Sequence, residues 1–95
     1  RCFTEGERAY CDARRGRAES YAARFAAKEA LIKALGAPPG LRWREMEVVR
    51  GAGAPQFRLS GTAAQEVARR NARVHLALTH DAGVAAASVV LEELP

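Results

Sequence analysis

Apolar and polar positions follow two different rhythms along this chain. Residues 19–35 (ESYAARFAAKEALIKAL) hold good helix formers almost throughout and predict one long helix. Gly36, Pro38, Pro39 and Gly40 end it. A shorter helix is predicted over residues 3–12, opening at Thr4 with Glu7 three residues on as a capping box. Alternation takes over in WREMEVVR (43–50) and QFRL (56–59), two predicted strands joined by the loop GAGAP. Thr62, with Gln65 in the capping-box position, predicts a third helix running to about Arg70. VHLALT (74–79) puts Val74, Leu76 and Leu78 on one face of a strand. Asp81-Ala82-Gly83 reads as a turn and VAAASVVLE (84–92) as the returning strand. The order ααββαββ predicts an α+β fold, an antiparallel sheet with one long packed helix. No repeat or linker interrupts it, so residues 1–95 are expected to form a single domain.

The long helix is unusual on a helical wheel. Tyr21, Phe25, Ile32 and Leu35 share one face, and six alanines between Ala22 and Ala34 fill the opposite side. Arg24 and Lys28 fall in or beside the bulky stripe, with Glu29 and Lys33 on its other border. Charges on a buried helix are costly unless they are paired, hydrated in a cleft or bound to a ligand. Spacing alone leaves two readings of Glu29 and Lys33. They are an i,i+4 ion pair in the favoured order, or they belong to a site where a carboxylate holds a metal and lysines meet phosphate.

Composition narrows the picture. Of the apolar residues, 21 are alanine and only 25 are larger, a thin core of the kind that borrows surface from a partner subunit. No apolar run approaches the ~20 residues of a membrane helix, and no leader opens the chain. Cys2 and Cys11 form neither a zinc pattern nor a disulfide framework, which makes a reducing, cytoplasmic setting the expectation. The net charge of +4 lies wholly in the first half, with 11 basic against 7 acidic residues. Such a surface attracts polyanions, including phosphorylated cofactors. A basic nucleic-acid-binding module is the alternative from another class. Six aromatics, no base-stacking motif and a charged helix that is also the most apolar argue against it. A second alternative is an inactive fragment that only assembles with partners.

The segment RFAAKEALIKALG (24–36) resembles the signature helix of the holo-acyl-carrier-protein synthases, the small 4′-phosphopantetheinyl transferases. FTEGERAYC (3–11) resembles that family's F-T-x-x-E-x-x-Y-C stretch, and GAGAP its G-x-P loop. VHLALTHDAGVAAASVV (74–90) resembles its histidine-aspartate ending, with Ala77 where the family often has serine. The combination of the KEA helix with the THD ending is the specific part.

The resemblance implies transfer of 4′-phosphopantetheine from coenzyme A to a serine of apo acyl carrier protein, with adenosine 3′,5′-bisphosphate released. It implies Mg²⁺ bridging enzyme and pyrophosphate, an ion that takes one or two carboxylates plus phosphate oxygens and water. Glu29 matches the family's metal ligand, and Lys33 the lysine proposed to protonate the leaving oxygen. Arg24 and Lys28 match positions lining the cofactor side of the same helix. Arg14, Arg15 and Arg17 resemble the basic loop near the 3′-phosphate, and His80 the histidine near the nucleotide end. On its own residues, His80 also reads as a turn histidine bonded to Asp81 or a backbone carbonyl. Gly53 and Pro55 resemble the loop that covers the adenine from a neighbouring subunit, and they also read as a plain hairpin turn. The family forms homotrimers. It begins with a G-x-G-x-D strand whose aspartate is the second metal ligand. The sequence opens at the family's later F-T segment, so the resemblance also implies upstream residues carrying that aspartate, without which the 95 residues are expected to be inactive.

Overall fold

A computed structural model describes residues 2–51 and 53–95. Helix α1 spans Glu5–Asp12, and α2 Arg17–Ala34. A single 3₁₀ turn, Trp43–Glu45, leads into strands β1 (Met46–Val49) and β2 (Gln56–Leu59). Helix α3 (Gly61–Arg69) and strands β3 (Ala72–Asp81) and β4 (Val84–Glu93) complete the chain. The order of helices and strands is the expected one. The four strands form two separate antiparallel hairpins, β1–β2 and β3–β4.

Local chemistry accounts for the ends. Thr4 caps α1 through a full capping box: its Oγ1 accepts the Glu7 N–H at 3.1 Å, and Glu7 Oε1 accepts the Thr4 N–H at 3.0 Å. Helix α2 stops at Leu35, where Gly36 takes φ +76° and Ala37 donates back to the Ile32 carbonyl at 2.9 Å. The strand expected from residue 43 begins only at Met46. Its first residues turn because the Trp43 carbonyl is drawn inward to accept a hydrogen bond from Lys28 at 3.1 Å. The expected cap at Thr62 is also displaced. Helix α3 starts at Gly61, and the Glu45 carboxylate accepts the Ala63 N–H at 3.3 Å. Gly61 has φ +55°, and a Cβ there would collide with that carboxylate.

The β3–β4 ladder pairs Val74 with Leu91, Leu76 with Val89 and Leu78 with Ala87 on the inner face. Helix α2 packs on this face. Its buried stripe is Ser20, Ala23, Arg24, Ala27, Lys28 and Leu31, whereas Phe25 is 41% exposed. Two of the alanines, Ala23 and Ala27, thus pack inward, where small side chains let helix and sheet backbones approach. Leu31, Leu35, Met46 and Ala63 form the core, joined by Phe57, Leu59, Val74 and Leu91. On the outer face of the hairpin Val90 and Val84 stay open to solvent, and His75 Nε2 meets Glu92 Oε1 at 2.9 Å. No helix is long and apolar enough to cross a membrane among the described residues.

Both cysteines are free, Cys2 half-buried and Cys11 fully buried. Burial pushes the Cys11 thiol above its ordinary pKa, against a smaller opposing pull from Arg24. A buried, protonated thiol is a poor nucleophile. Native protein treated with iodoacetamide near neutral pH is therefore expected to be alkylated at Cys2 and spared at Cys11, as read by peptide mass spectrometry. Equal modification of both cysteines in the folded protein would contradict this packing.

Candidate functional site

Two groups of chemically capable residues lie along α2. The first surrounds its N-terminal end. Arg14 and Arg15 come from the turn between α1 and α2, Ser20 from the first turns of α2, and Tyr10 from α1. Arg50, just past β1, and His80, near the end of β3, close a cleft of ≈ 410 Å³. Three guanidinium-bearing side chains, an imidazole, a phenol and a hydroxyl offer donors to an anion and no carboxylate among them. Such a donor set suits an anion, phosphate among them.

Its walls are held in place by specific contacts. Glu19, in the first turn of α2, accepts the Gly83 N–H at 2.7 Å and lies 3.5 Å from His80 Nδ1. One carboxylate thus ties the β3–β4 turn to the helix and orients the histidine. Among the described residues, neither Asp81 nor a backbone carbonyl holds His80. The turn itself has Ala82 and Gly83 at φ +50° and +81°, which suits a tight two-residue hairpin. Tyr10 is gripped by cations: the guanidinium carbons of Arg14 and Arg24 each lie 4.2 Å from its ring centroid.

Arg24 was expected to line the cofactor side. It is 3% exposed and supports Tyr10 instead, so it backs the cleft wall. Lys28 requires a plainer correction. Its side chain is wholly buried, and its three N–H bonds go to Cys2 O at 2.6 Å, Glu7 Oε1 at 2.6 Å and Trp43 O at 3.1 Å. An ammonium has three donors, and all are used inside the protein. Lys28 is therefore not available to a cofactor.

The second group is Glu29 and Lys33, both exposed on α2. They stand one turn apart, yet no ion pair between them occurs within 4 Å among the described residues. The i,i+4 ion-pair reading is not the geometry seen. Both side chains stay free to meet something else. At ~100° per residue, Glu29 lies half a turn around the helix from Ser20, and at ~1.5 Å per residue about 13 Å further along the axis. The anion cleft and the Glu29–Lys33 face therefore point to different sides of α2. Beside Glu29, the Phe25 ring stacks on Trp43 with centroids 5.0 Å apart.

Gly53 lines a small hollow of ≈ 260 Å³ with Val49, Gly51, Ala54 and Gln56, and Pro55 lies beside it in sequence. A Cβ on Gly53 would meet nothing within 4 Å, so nothing in this chain demands glycine there. Residue 52 of that loop lies outside the described residues. Sequence reasoning passed over Tyr10, Glu19, Arg50 and the Lys28–Glu7 pair. Thr4, Glu7 and Cys11 recur at helical spacing, and that pattern was the available signal for an inward stripe on α1. Arg50 had none.

A family model described as the 4′-phosphopantetheinyl transferase superfamily matches residues 1–87. The chain is 62% identical over 92 residues to the holo-[acyl-carrier-protein] synthase of Myxococcus xanthus, which covers 97% of this chain and 73% of that protein. Among solved structures, the acyl carrier protein synthase of Mycobacterium tuberculosis matches with TM-score 0.79 and 39% identity, over 98% of this chain and 82% of the other. The ACPS-CoA complex of Chronobacterium ammoniagenes matches with TM-score 0.85 and 29% identity, over 99% and 79%.

Proposed function

Because this chain belongs to the 4′-phosphopantetheinyl transferase superfamily, we propose from its geometry how its residues share the work of a holo-acyl-carrier-protein synthase. The reaction it serves is transfer of 4′-phosphopantetheine from coenzyme A to apo acyl carrier protein. The carrier's serine oxygen attacks the pantetheine-side phosphorus, the phosphoanhydride bond breaks, and adenosine 3′,5′-bisphosphate leaves. The serine proton is lost and the leaving phosphate oxygen gains one.

The observation that carries this assignment is the cleft that gathers Arg14, Arg15, Arg50 and His80 around one anion-sized space. It takes the 3′-phosphate end of coenzyme A, with Tyr10 held as its wall by Arg24. Glu29 is the protein's carboxylate for Mg²⁺. The fit rests on its state here: exposed, with no hydrogen bond or ion pair among the described residues, and a hard oxygen donor. No cluster of three or more His, Cys, Asp or Glu converges among the described residues. Glu29 would be one of the one or two carboxylates that this ion takes beside phosphate oxygens and water. When bound, Mg²⁺ supplies charge neutralisation at the pyrophosphate. Lys33, one turn from Glu29, donates to the leaving oxygen as charge builds there.

The active form is a homotrimer with its sites between subunits. Two observations support this reading. The cleft and the Glu29–Lys33 face look to different sides of α2, so one chain does not bring them to a single point. The outer face of the β3–β4 hairpin leaves Val84 68% and Val90 55% exposed, apolar surface suited to a second copy. Gly53 and Pro55 then cover the adenine of a neighbouring subunit's cofactor. Residues 1–95 act as one domain, and the two free cysteines suit the cytoplasm.

Three outcomes check this account. Glu29→Gln keeps the helix but removes a good Mg²⁺ ligand, so transfer to the carrier protein should fall on the order of 10²-fold or more. Near-parent rates at low Mg²⁺ would exclude Glu29 as a ligand. Lys33→Ala should lower kcat while leaving the KM for coenzyme A little changed; a rise in KM alone would make it a ground-state phosphate contact. Sedimentation of the intact protein at micromolar concentration should give a trimer, and a stable monomer would contradict the shared site.

A further inference from the structure

We infer that the buried Lys28–Glu7 pair is a positioning device that fixes the rotation of α2 and so aims Glu29, an inference that rests on Glu29 being the metal ligand. Lys28 is the residue before Glu29, and its ammonium is anchored to three separate segments. Cys2 precedes α1, Glu7 lies within α1, and Trp43 opens the turn before β1. Glu7 is anchored in turn, since its Oε2 accepts the Val48 N–H of β1 at 2.7 Å. Each of these bonds is directional, and together they leave the Lys28 side chain one place to end.

Helix α2 needs such a pin. Leu31 and Leu35 anchor its C-terminal half in the apolar core, but towards the N-terminus from Lys28 the buried apolar residues are only Ala23 and Ala27, which pack closely but interlock weakly. A side-chain end stands ~5–6 Å from a helix axis, so a rotation of roughly 10° moves it by about 1 Å. Misplacement on that scale can cost on the order of 10²-fold in rate. A buried ion pair is a poor source of net stability compared with apolar packing, whereas it specifies one arrangement among several. The pair therefore acts through Glu29 rather than on substrate.

The test uses the intact protein and the double variant Glu7→Gln/Lys28→Met, which replaces the pair by uncharged groups of similar shape. The melting temperature reports stability. Turnover, the KM for coenzyme A, and Mn²⁺ affinity in the presence of coenzyme A, read by EPR, report position, Mn²⁺ sharing the oxygen preference of Mg²⁺. The expected result is a folded protein whose melting temperature falls less than that of either single variant. Its turnover should be lower on the order of 10²-fold, its Mn²⁺ affinity about tenfold weaker, and its KM little changed. A folded double variant with parent-like turnover and Mn²⁺ affinity overturns the positioning role. If the double variant does not fold, the same readouts on Glu7→Asp, which keeps the charge pair but shortens the anchor by one methylene, decide in the same way. A parent protein that transfers no phosphopantetheine overturns the functional reading itself, and this inference falls with it.

Discussion

One ammonium, taken wholly out of water at Lys28, sets the arrangement of everything around it. Removing two unlike charges from solvent costs several kcal/mol per ion, and only close pairing with full hydrogen bonding offsets that. Here the hydrogen bonding is full: Lys28 spends three donors, and the Glu7 oxygens accept from Lys28, Thr4 and Val48. The partners come from α1, β1, and the segments just before them, so α2 cannot shift against any of these without breaking a bond. Thr4 extends the network by donating to Glu47 Oε2 at 2.6 Å. The polar interior beside the N-terminal half of the fold complements the apolar core around Leu31, Leu35, Met46 and Ala63.

With the helix fixed, its sides acquire separate tasks. The inward alanine and lysine stripe packs on the sheet and the polar network. The N-terminal end, with Arg14, Arg15 and Ser20, faces a cleft that Arg50 and His80 complete. The outward side carries Glu29 and Lys33, exposed and without an ion-pair partner among the described residues. Glu19 locks the hairpin tip to the cleft end through Gly83 and His80. Phosphoryl transfer needs positioned charge more than covalent chemistry. A helix that cannot rotate, with cations at one end and a free carboxylate on another side, supplies that charge in fixed places.

Much of this was legible in the sequence. The capping box at Thr4 and Glu7, the Gly36 stop and the order of elements follow from local rules that tertiary packing did not override. Arg14, Arg15 and His80 were found by charge and by resemblance, and the fold does bring them together. The misreadings share a cause. Strand alternation at 43–45 lost to the inward Trp43 carbonyl, and the Thr62 cap lost to Glu45, both contacts between segments distant in sequence. The helical wheel left the inner face of α2 open, and the fold buries Ala23 and Ala27 while Phe25 stays 41% exposed, because helix–sheet approach selects small residues as well as large ones. Lys28 was placed on the cofactor side by resemblance, and its position in the bulky stripe did not say what would pair with it. Its partners Cys2, Glu7 and Trp43 lie 26, 21 and 15 residues away.

The direct test of the central constraint is a double-mutant cycle on Glu7 and Lys28 by urea unfolding, using Glu7→Gln, Lys28→Met and the pair. Each single change strands a buried polar partner and is expected to cost about 3–5 kcal/mol. The double variant should recover much of that loss, giving a coupling well above ~1 kcal/mol. Additive costs, agreeing within ~0.5 kcal/mol, would mean that the two groups do not hold each other inside the protein and would contradict the account.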